Sequence, residues 1–309
     1  MRRIKKILPL LLCAAMLLCM CACSSQRTED PLDDIISRKK ITIGMDTTLP
    51  PIAFQDGETS IDGIAADLAG ELASRLDAQL VIKPVSVVDA VEAVNNGDID
   101  CFIGYPDLDF QTELLVNSIS MEFERNFVII VPAKSKAKRL YDLKGKKIAA
   151  VVRTDAMATL YNTSEFCSSL KEVLVMSDSD AVLSAIDDST ANAAAFEEAY
   201  IRFVLQRNPD KYKIIDQKLS NGKYYILFRK NADAVTERID QLFSLIRSTG
   251  RFDEIIADWT GAKEPEVIDD APLLTLSESD LLYCVSETDM TATDLKSPTD
   301  HISDADKTN

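Results

Sequence analysis

DGIAADLAGELASRLDAQLVIKPVSVVDAVEAVNNGDIDCFIG, residues 62–104, alternates helix and strand signals without a break. GIAADLAGELASRL (63–76) spaces its apolar residues at helical intervals, with Asp62 standing where an N-terminal cap belongs. LVIKPV (80–85) predicts a strand. VVDAVEAVNNG (87–97) predicts a helix stopped at Asn95-Asn96-Gly97, and IDCFIG (99–104) predicts another strand. Upstream, ITIGM (41–45) reads as a strand, followed by a turn-rich segment holding Pro50 and Pro51. Strands joined through helices at this spacing require right-handed crossovers, and therefore a largely parallel sheet.

The pattern then repeats. FVIIVP (127–132) is continuous and apolar, as a strand buried on both faces should be. IAAVV (148–152), EVLVM (172–176) and ANAAAF (191–196) predict strands. Between and after them lie helices near 154–162, 180–188 and 198–206. KYYILFR (223–229) returns as a strand, and helices over 232–250 and 251–261 close the fold, with Gly250 and Gly261 at their ends. The expected fold is α/β and two-lobed. Each lobe holds a mixed, mostly parallel sheet flanked by helices, and the chain visits the second lobe in its middle.

The two ends differ from this body. MRRIKK followed by ILPLLLCAAMLLCMCA has the basic and apolar regions of a secretory signal, and the apolar run is short for a membrane span. Residues 24–38 are polar at their start and read as a tether. From Ala262 the chain carries three bases and twelve acids, so 262–309 reads as a solvated acidic extension. An amphipathic piece over Leu273–Val285 either packs on the body or stays in solvent.

Charge and composition exclude several functions. The formal net charge of -16 repels phosphate backbones, which argues against nucleic acid as a partner. It also gains nothing from anionic lipid headgroups. The single histidine is His301, in the acidic extension, so no Ser-His-Asp or Cys-His nucleophile arrangement and no histidine metal site is expected. GxGxxG, P-loop and HExxH patterns are absent. Beyond Cys23 only Cys101, Cys167 and Cys284 occur, far apart, which predicts isolated thiols rather than a zinc site or a forced disulfide. No cofactor, metal or catalytic residue is expected.

Five stretches, in order, carry a resemblance. GMDTTLPPIAF (44–54), DGIAADLAGELA (62–73), NNGDIDCFIG (95–104), DLKGKKIAAVVRTD (142–155) and STGRFDEIIADWTG (248–261) resemble the family 3 extracellular solute-binding proteins of amino-acid ABC importers, over about residues 39–261. The resemblance implies a type II periplasmic-binding-protein fold that holds ligand between lobes and closes by hinge bending. Lobe one would be 31–126 plus 225–261 and lobe two 127–224, with crossings near Phe127–Val131 and Tyr224–Phe228. Met20-Cys21-Ala22-Cys23 resembles a lipoprotein signal box, which implies cleavage after residue 22, diacylation of Cys23 and a 23–38 tether.

Ligand-contacting positions follow residue by residue from the same likeness. They are Asp46, Leu49, Phe54, Gly104, Asp107, Asp109 and Thr112 on lobe one, and Arg153, Thr154, Asp155 and Glu197 on lobe two. Several depart from the family pattern. The arginine that clamps a ligand's α-carboxylate falls at Thr112, the stacking aromatic at Leu49, and two hydroxyl positions at Asp107 and Asp109. Glu197 matches the carboxylate that receives the ligand's ammonium. Two readings stand. In one, Asp107, Asp109 and Glu197 favour a cationic or amine-bearing ligand, and Arg153 meets a ligand carboxylate from the other lobe. In the other, Asp107 and Asp109 face water on a loop and Thr112 caps a helix. Trp259 is expected to pack the last helix on lobe one. Phe54, Tyr105, Tyr224 and Tyr225 fit either cleft or core.

The expected function is a lipid-anchored, exported, monomeric receptor on the outer face of the cell membrane, delivering a small polar solute to an ABC permease. A sensing module that signals through a partner, and a dehydratase-like enzyme on the same scaffold, are the alternatives.

Overall fold

The computed structural model describes residues 31–57, 60–106 and 110–261. The proposed acyl site Cys23, Asp107, Asp109, His301 and both terminal segments lie outside the described residues. The described residues divide into two compact units. The first runs to Arg125 and adds Glu198–Pro209 and the segment from Asn221; the second is Asn126–Glu197 with Asp210–Ser220.

In the first unit, β1 (Lys40–Met45) lies between β5 (Gln79–Pro84) and β6 (Cys101–Gly104), parallel to both. The other side of β6 pairs antiparallel with the end of β11 (Tyr212–Arg229), Tyr225 opposite Gly104 and Phe228 opposite Cys101. Side chains alternate across this sheet. Cys101, Ile103, Ile226 and Phe228 enter the main core with α2 (Ile64–Arg75), while Phe102 and Leu227 enter a second core with α3 (Ala90–Asn96). Helix α2 buries Ile64, Ala65, Leu68, Ala69, Leu72 and Ala73, a stripe at helical spacing whose small residues let it approach the strands closely. Helix α3 ends where Gly97 adopts φ 74°, and Asp98 N donates to Ala93 O at 3.0 Å, closing a Schellman-type stop.

Asp62 does not cap α2. It ends β4 (Ser60–Asp62), which with β3 (Ala53–Asp56) and β2 (Thr48–Leu49) forms a small antiparallel sheet in the segment read as turns. The first donors of α2 are satisfied by backbone instead: Ile64 N donates to Pro51 O at 2.9 Å and Ala65 N to Ile52 O at 2.8 Å. Gly63, at φ 127°, lets the chain pass those carbonyls, since a Cβ there would lie 2.6 Å from both.

Residues 31–38, read as tether, form α1 (Pro31–Arg38). Ile35 is fully buried in the main core, and Arg38 pairs with Asp100 at 2.5 Å. The same core is covered by α9 (Asp233–Ser248) and α10 (Arg251–Thr260).

The second unit repeats the topology. β8 (Lys147–Val151) lies between β9 (Glu172–Met176) and β10 (Ala193–Glu197), parallel to both, and β10 pairs antiparallel with the end of β7 (Val116–Pro132). Helices α5 (Asp155–Asn162), α6 (Ser164–Ser169) and α7 (Ser179–Asp187) connect these strands. Asp178 caps α7 by accepting from Ala181 N at 2.8 Å.

Helix α8 (Glu198–Arg207), placed by sequence in 127–224, groups with the first unit. Ala199 enters that unit's core, Phe203 packs on Phe54 and Trp259, and Gln206 Nε2 donates to Asp258 O at 3.1 Å. The chain passes between units at 125/126, 197/198, 209/210 and 220/221, so two of the crossings fall inside the long strands β7 and β11.

Candidate functional site

Open α/β sheets bind ligands beyond the carboxyl ends of their parallel strands. In the first unit those ends belong to β1 and β6. Asp46 follows β1 directly. Its carboxylate accepts from Thr48 N at 3.1 Å, from Thr48 Oγ1 at 2.7 Å and from Val87 N at 3.2 Å. Asp46 therefore ties the two loops of this edge together, and its oxygens are engaged within the unit.

Leu49 on β2 is half-buried and packs against the main core. Phe54 on β3 gives its ring to Trp259, edge-on at 5.6 Å, and to Phe203 at 5.8 Å. Trp259 packs on the same core and donates from Nε1 to Asp67 Oδ2 at 2.7 Å, holding α10 to α2. These contacts make Phe54 part of the bracing between α8, α10 and β3.

Gly104 closes β6, buried, with space for a Cβ taken by the Phe102 ring 2.6 Å away. Thr112 lies on the single turn α4 (Phe110–Glu113), whose sequence FQTE carries no cation, and its carbonyl accepts from Leu115 N at 2.9 Å. A guanidinium does lie at this edge, but from a different strand. Arg125 of β7 sits 3.4 Å over the centroid of Tyr105, the residue after Gly104. Tyr105 meets Tyr224 edge-on at 6.0 Å, and Tyr224, almost fully buried, stacks on Phe123 at 5.0 Å.

Arg125 lies away from the positions that the family resemblance names; in NSISMEFER (117–125) every second residue from Ile119 to Arg125 faces one side of a strand. This alternation puts Arg125 on the face of Phe123, and so beside Tyr224.

In the second unit the equivalent edge belongs to β8 and β10. Glu197 is the last residue of β10, half-buried and paired opposite Phe127. Ala194 pairs in parallel with Ala149, so Glu197 and the turn after Val151 emerge on the same edge. That turn holds Arg153, exposed and at φ 60°, a left-handed conformation. Thr154 caps α5, accepting from Met157 N at 3.3 Å while donating to Val151 O at 2.8 Å. Asp155 is the exposed first residue of α5, where an acidic group favours the helix dipole. The structure thus brings together Arg153, Thr154, Asp155 and Glu197 in one unit, and Asp46 with the Gly104 strand end in the other.

Among the described residues no group of three or more His, Cys, Asp or Glu side chains is placed to hold a metal. Cys101 and Cys167 are free thiols, and burial pushes the Cys101 thiol far up from its ordinary range. No described helix is long and apolar enough to cross a membrane.

Known proteins share this fold. The ABC transporter glutamine-binding protein GlnH of Bacillus subtilis is 22% identical over 241 residues, covering 76% of this chain and 86% of that protein. The L-cystine-binding protein TcyK of the same organism is 20% identical, over 72% of this chain and 83% of its own length. A solved polar amino acid ABC uptake transporter substrate-binding protein from Streptococcus thermophilus superposes with a TM-score of 0.69 at 16% identity, covering 78% of this chain and 94% of that one. The fold is that of the type II periplasmic binding proteins. The model of the bacterial extracellular solute-binding proteins, family 3, matches residues 41–262, and this chain, with its paired α/β units and their loop-lined strand ends, belongs to that family.

Proposed function

We propose that this chain is a lipid-anchored receptor, attached through Cys23, that captures a small polar solute for an ABC importer. The family match across residues 41–262 carries this reading. The ligand class follows from the side chains at the strand ends. Glu197, at the end of β10, stands at the position matching the family carboxylate that receives a ligand's ammonium, and so suits an ammonium or amine. Asp107 and Asp109 would add negative charge on the first unit, and Arg153 would meet an anionic group of the ligand. The solute is accordingly amino-acid-like or amine-bearing, and the relatives named for glutamine and L-cystine support that class. The receptor acts as a monomer and turns over nothing.

Calorimetric titration of the intact exported chain with amino acids, polyamines and small peptides tests this. We expect one compound to bind with micromolar affinity or better, to raise the melting temperature, and to be recovered unchanged. Glu197→Gln should weaken an amine-bearing ligand by about 10- to 100-fold. Micromolar binding of glycine or glutamine would instead contradict an altered pocket, and turnover of the ligand would make the protein an enzyme. Incorporation of labelled fatty acid into the wild-type chain but not into Cys23→Ser tests the anchor.

A further inference from the structure

We propose that a basic strip on the second unit is the docking surface for the chain's own acidic segment, residues 264–289. Over 134–147 the sequence KSKAKRLYDLKGKK carries seven bases and one acid. Packing sets further bases beside it. Ala133 N donates to Lys211 O at 3.0 Å, Lys213 Nζ to Ser135 O at 2.7 Å and Asp216 N to Lys138 O at 3.1 Å, so the start of β11 runs along 133–138. At the other end Lys171 N donates to Lys146 O at 2.9 Å. Lys134, Lys136, Lys138, Lys144, Lys146 and Lys171 are exposed and form no ion pair among the described residues. Nearby carboxylates are committed elsewhere. Asp142 accepts from Lys138 N at 2.9 Å and Arg139 N at 3.0 Å, Glu172 pairs with Lys147 at 2.7 Å, and Asp187 pairs with Lys211 at 2.6 Å. Asp210 and Asp216 add exposed acids on the β11 flank. Amid the bases stands Tyr141, 78% exposed, which offers an apolar ring to whatever covers the strip.

Charge, composition and reach select the occupant. Residues 264–289 hold eight acids and no base, with Leu273, Leu274, Leu276, Leu281 and Leu282 among them. Carboxylates and apolar side chains together match lysines set around an exposed tyrosine. The first unit repels such a segment, since acids outnumber bases by 25 to 14 over 31–125, 198–209 and 221–261. Over 126–197 and 210–220 the bases lead by 12 to 11, and the strip gathers more than half of them. Twenty-six residues span up to about 90 Å when extended, so reach does not restrict which face they meet. Covalent connection presents the segment at an effective concentration on the order of millimolar, ahead of acidic partners arriving from solution. An anionic lipid surface is disfavoured by the chain's net charge of -16. None of the strand-end residues assigned to the solute belongs to the strip, so this docking stands or falls apart from the receptor reading.

The test treats the intact exported chain with a water-soluble carbodiimide, which joins a carboxylate to an amine in contact with it, and maps the linked peptides by mass. Links from 264–289 to the strip lysines should form at about 0.05 M salt and fall at least about tenfold at about 1 M, where the screening length is about 3 Å. In a mixture with isotope-labelled chain, the links should stay within one copy. Lys136→Glu, Lys138→Glu, Lys144→Glu and Lys146→Glu together should cut them by about tenfold or more, as like charges replace opposite ones. The Lys147–Glu172 link should persist in that variant, as the control for folding and reagent. Adding Glu264→Lys, Glu266→Lys, Asp269→Lys and Asp270→Lys should restore linking with the charges exchanged. Should the strip variant fail to fold, Glu264→Gln, Glu266→Gln, Asp269→Asn and Asp270→Asn in the wild-type background should give the same loss. Absence of strip links in the wild-type chain, links mainly to the first unit or between copies, or links that survive charge reversal would each overturn the proposal. Strip-dependent binding to phosphatidylglycerol vesicles without any link to 264–289 would also overturn it and assign the surface to a membrane.

Discussion

Truncation of Phe54 to alanine separates two roles that sequence alone leaves open for this ring, bracing and ligand contact. Its contacts are specific: Trp259 edge-on at 5.6 Å and Phe203 tilted at 5.8 Å, linking β3 to α8 and α10. Each aromatic pair contributes about 0.5–1.5 kcal/mol beyond burial. A half-buried phenylalanine adds roughly 1 kcal/mol of transfer free energy. A fully buried one would cost about 3–5 kcal/mol on truncation, so Phe54→Ala should destabilise the first unit by about 2–3 kcal/mol. With an m-value of about 3 kcal/mol/M, the urea midpoint should fall by about 0.7–1 M. Trp259 is the only tryptophan, so its fluorescence reports this transition from within the cluster being altered. A midpoint unchanged within about 0.2 M, accompanied by loss of ligand affinity, would show that Phe54 faces the ligand and that the bracing argument is wrong.

Three further outcomes follow from the packing and charge pairs of the two units. Gly63→Ala would place a Cβ 2.6 Å from two carbonyl oxygens at φ 127°, so thermal melting should fall by well over 5 °C, consistent with a loss of about 2–3 kcal/mol or more; an unchanged melt would disprove the close approach. Glu71 is held below its ordinary value of 4.5, first by the hydrogen bond from Arg251 and then by that from Arg75. A depressed carboxyl stabilises the fold fully above its unfolded value and loses that contribution as pH falls through the lower folded value. The stability gap between wild type and Glu71→Gln, measured by urea titration across pH, should therefore be widest near neutrality and close below about pH 4. Cys101 is buried with its thiol pushed up, so mass mapping after brief treatment with a thiol reagent should find it unlabelled in the native state and labelled in denaturant. Labelling as fast as that of Cys167 would contradict the core placement.

Much of the fold was legible because local periodicity and burial agree along most of the chain. Ile41, Ile43, Cys101, Ile103 and the apolar run 127–131 declare strands buried on both faces, and α2 declares its stripe. Crossover handedness then fixes parallel pairing without reference to distant contacts. The order of most strands and helices follows from the sequence along the chain alone.

What local pattern could not supply depends on partners distant in sequence. Residues 116–126 of β7 alternate polar and apolar side chains, and only pairing turns them into one long strand with 127–132. Residues 31–38 look like a polar leader until Ile35 finds the core built by strands and helices far along the chain. Helix α8 carries the signals of its neighbours in 127–224, yet its Ala199 and Phe203 find their apolar contacts in the first unit. Asp62 is a plausible cap that is displaced because Pro51 and Ile52 already present carbonyls to the same donors. Arg125 acquires meaning only when β6 delivers Tyr105 beneath it. Burial and hydrogen-bond satisfaction are sums over neighbours in space, so the residues they govern are settled by packing rather than by their own local sequence.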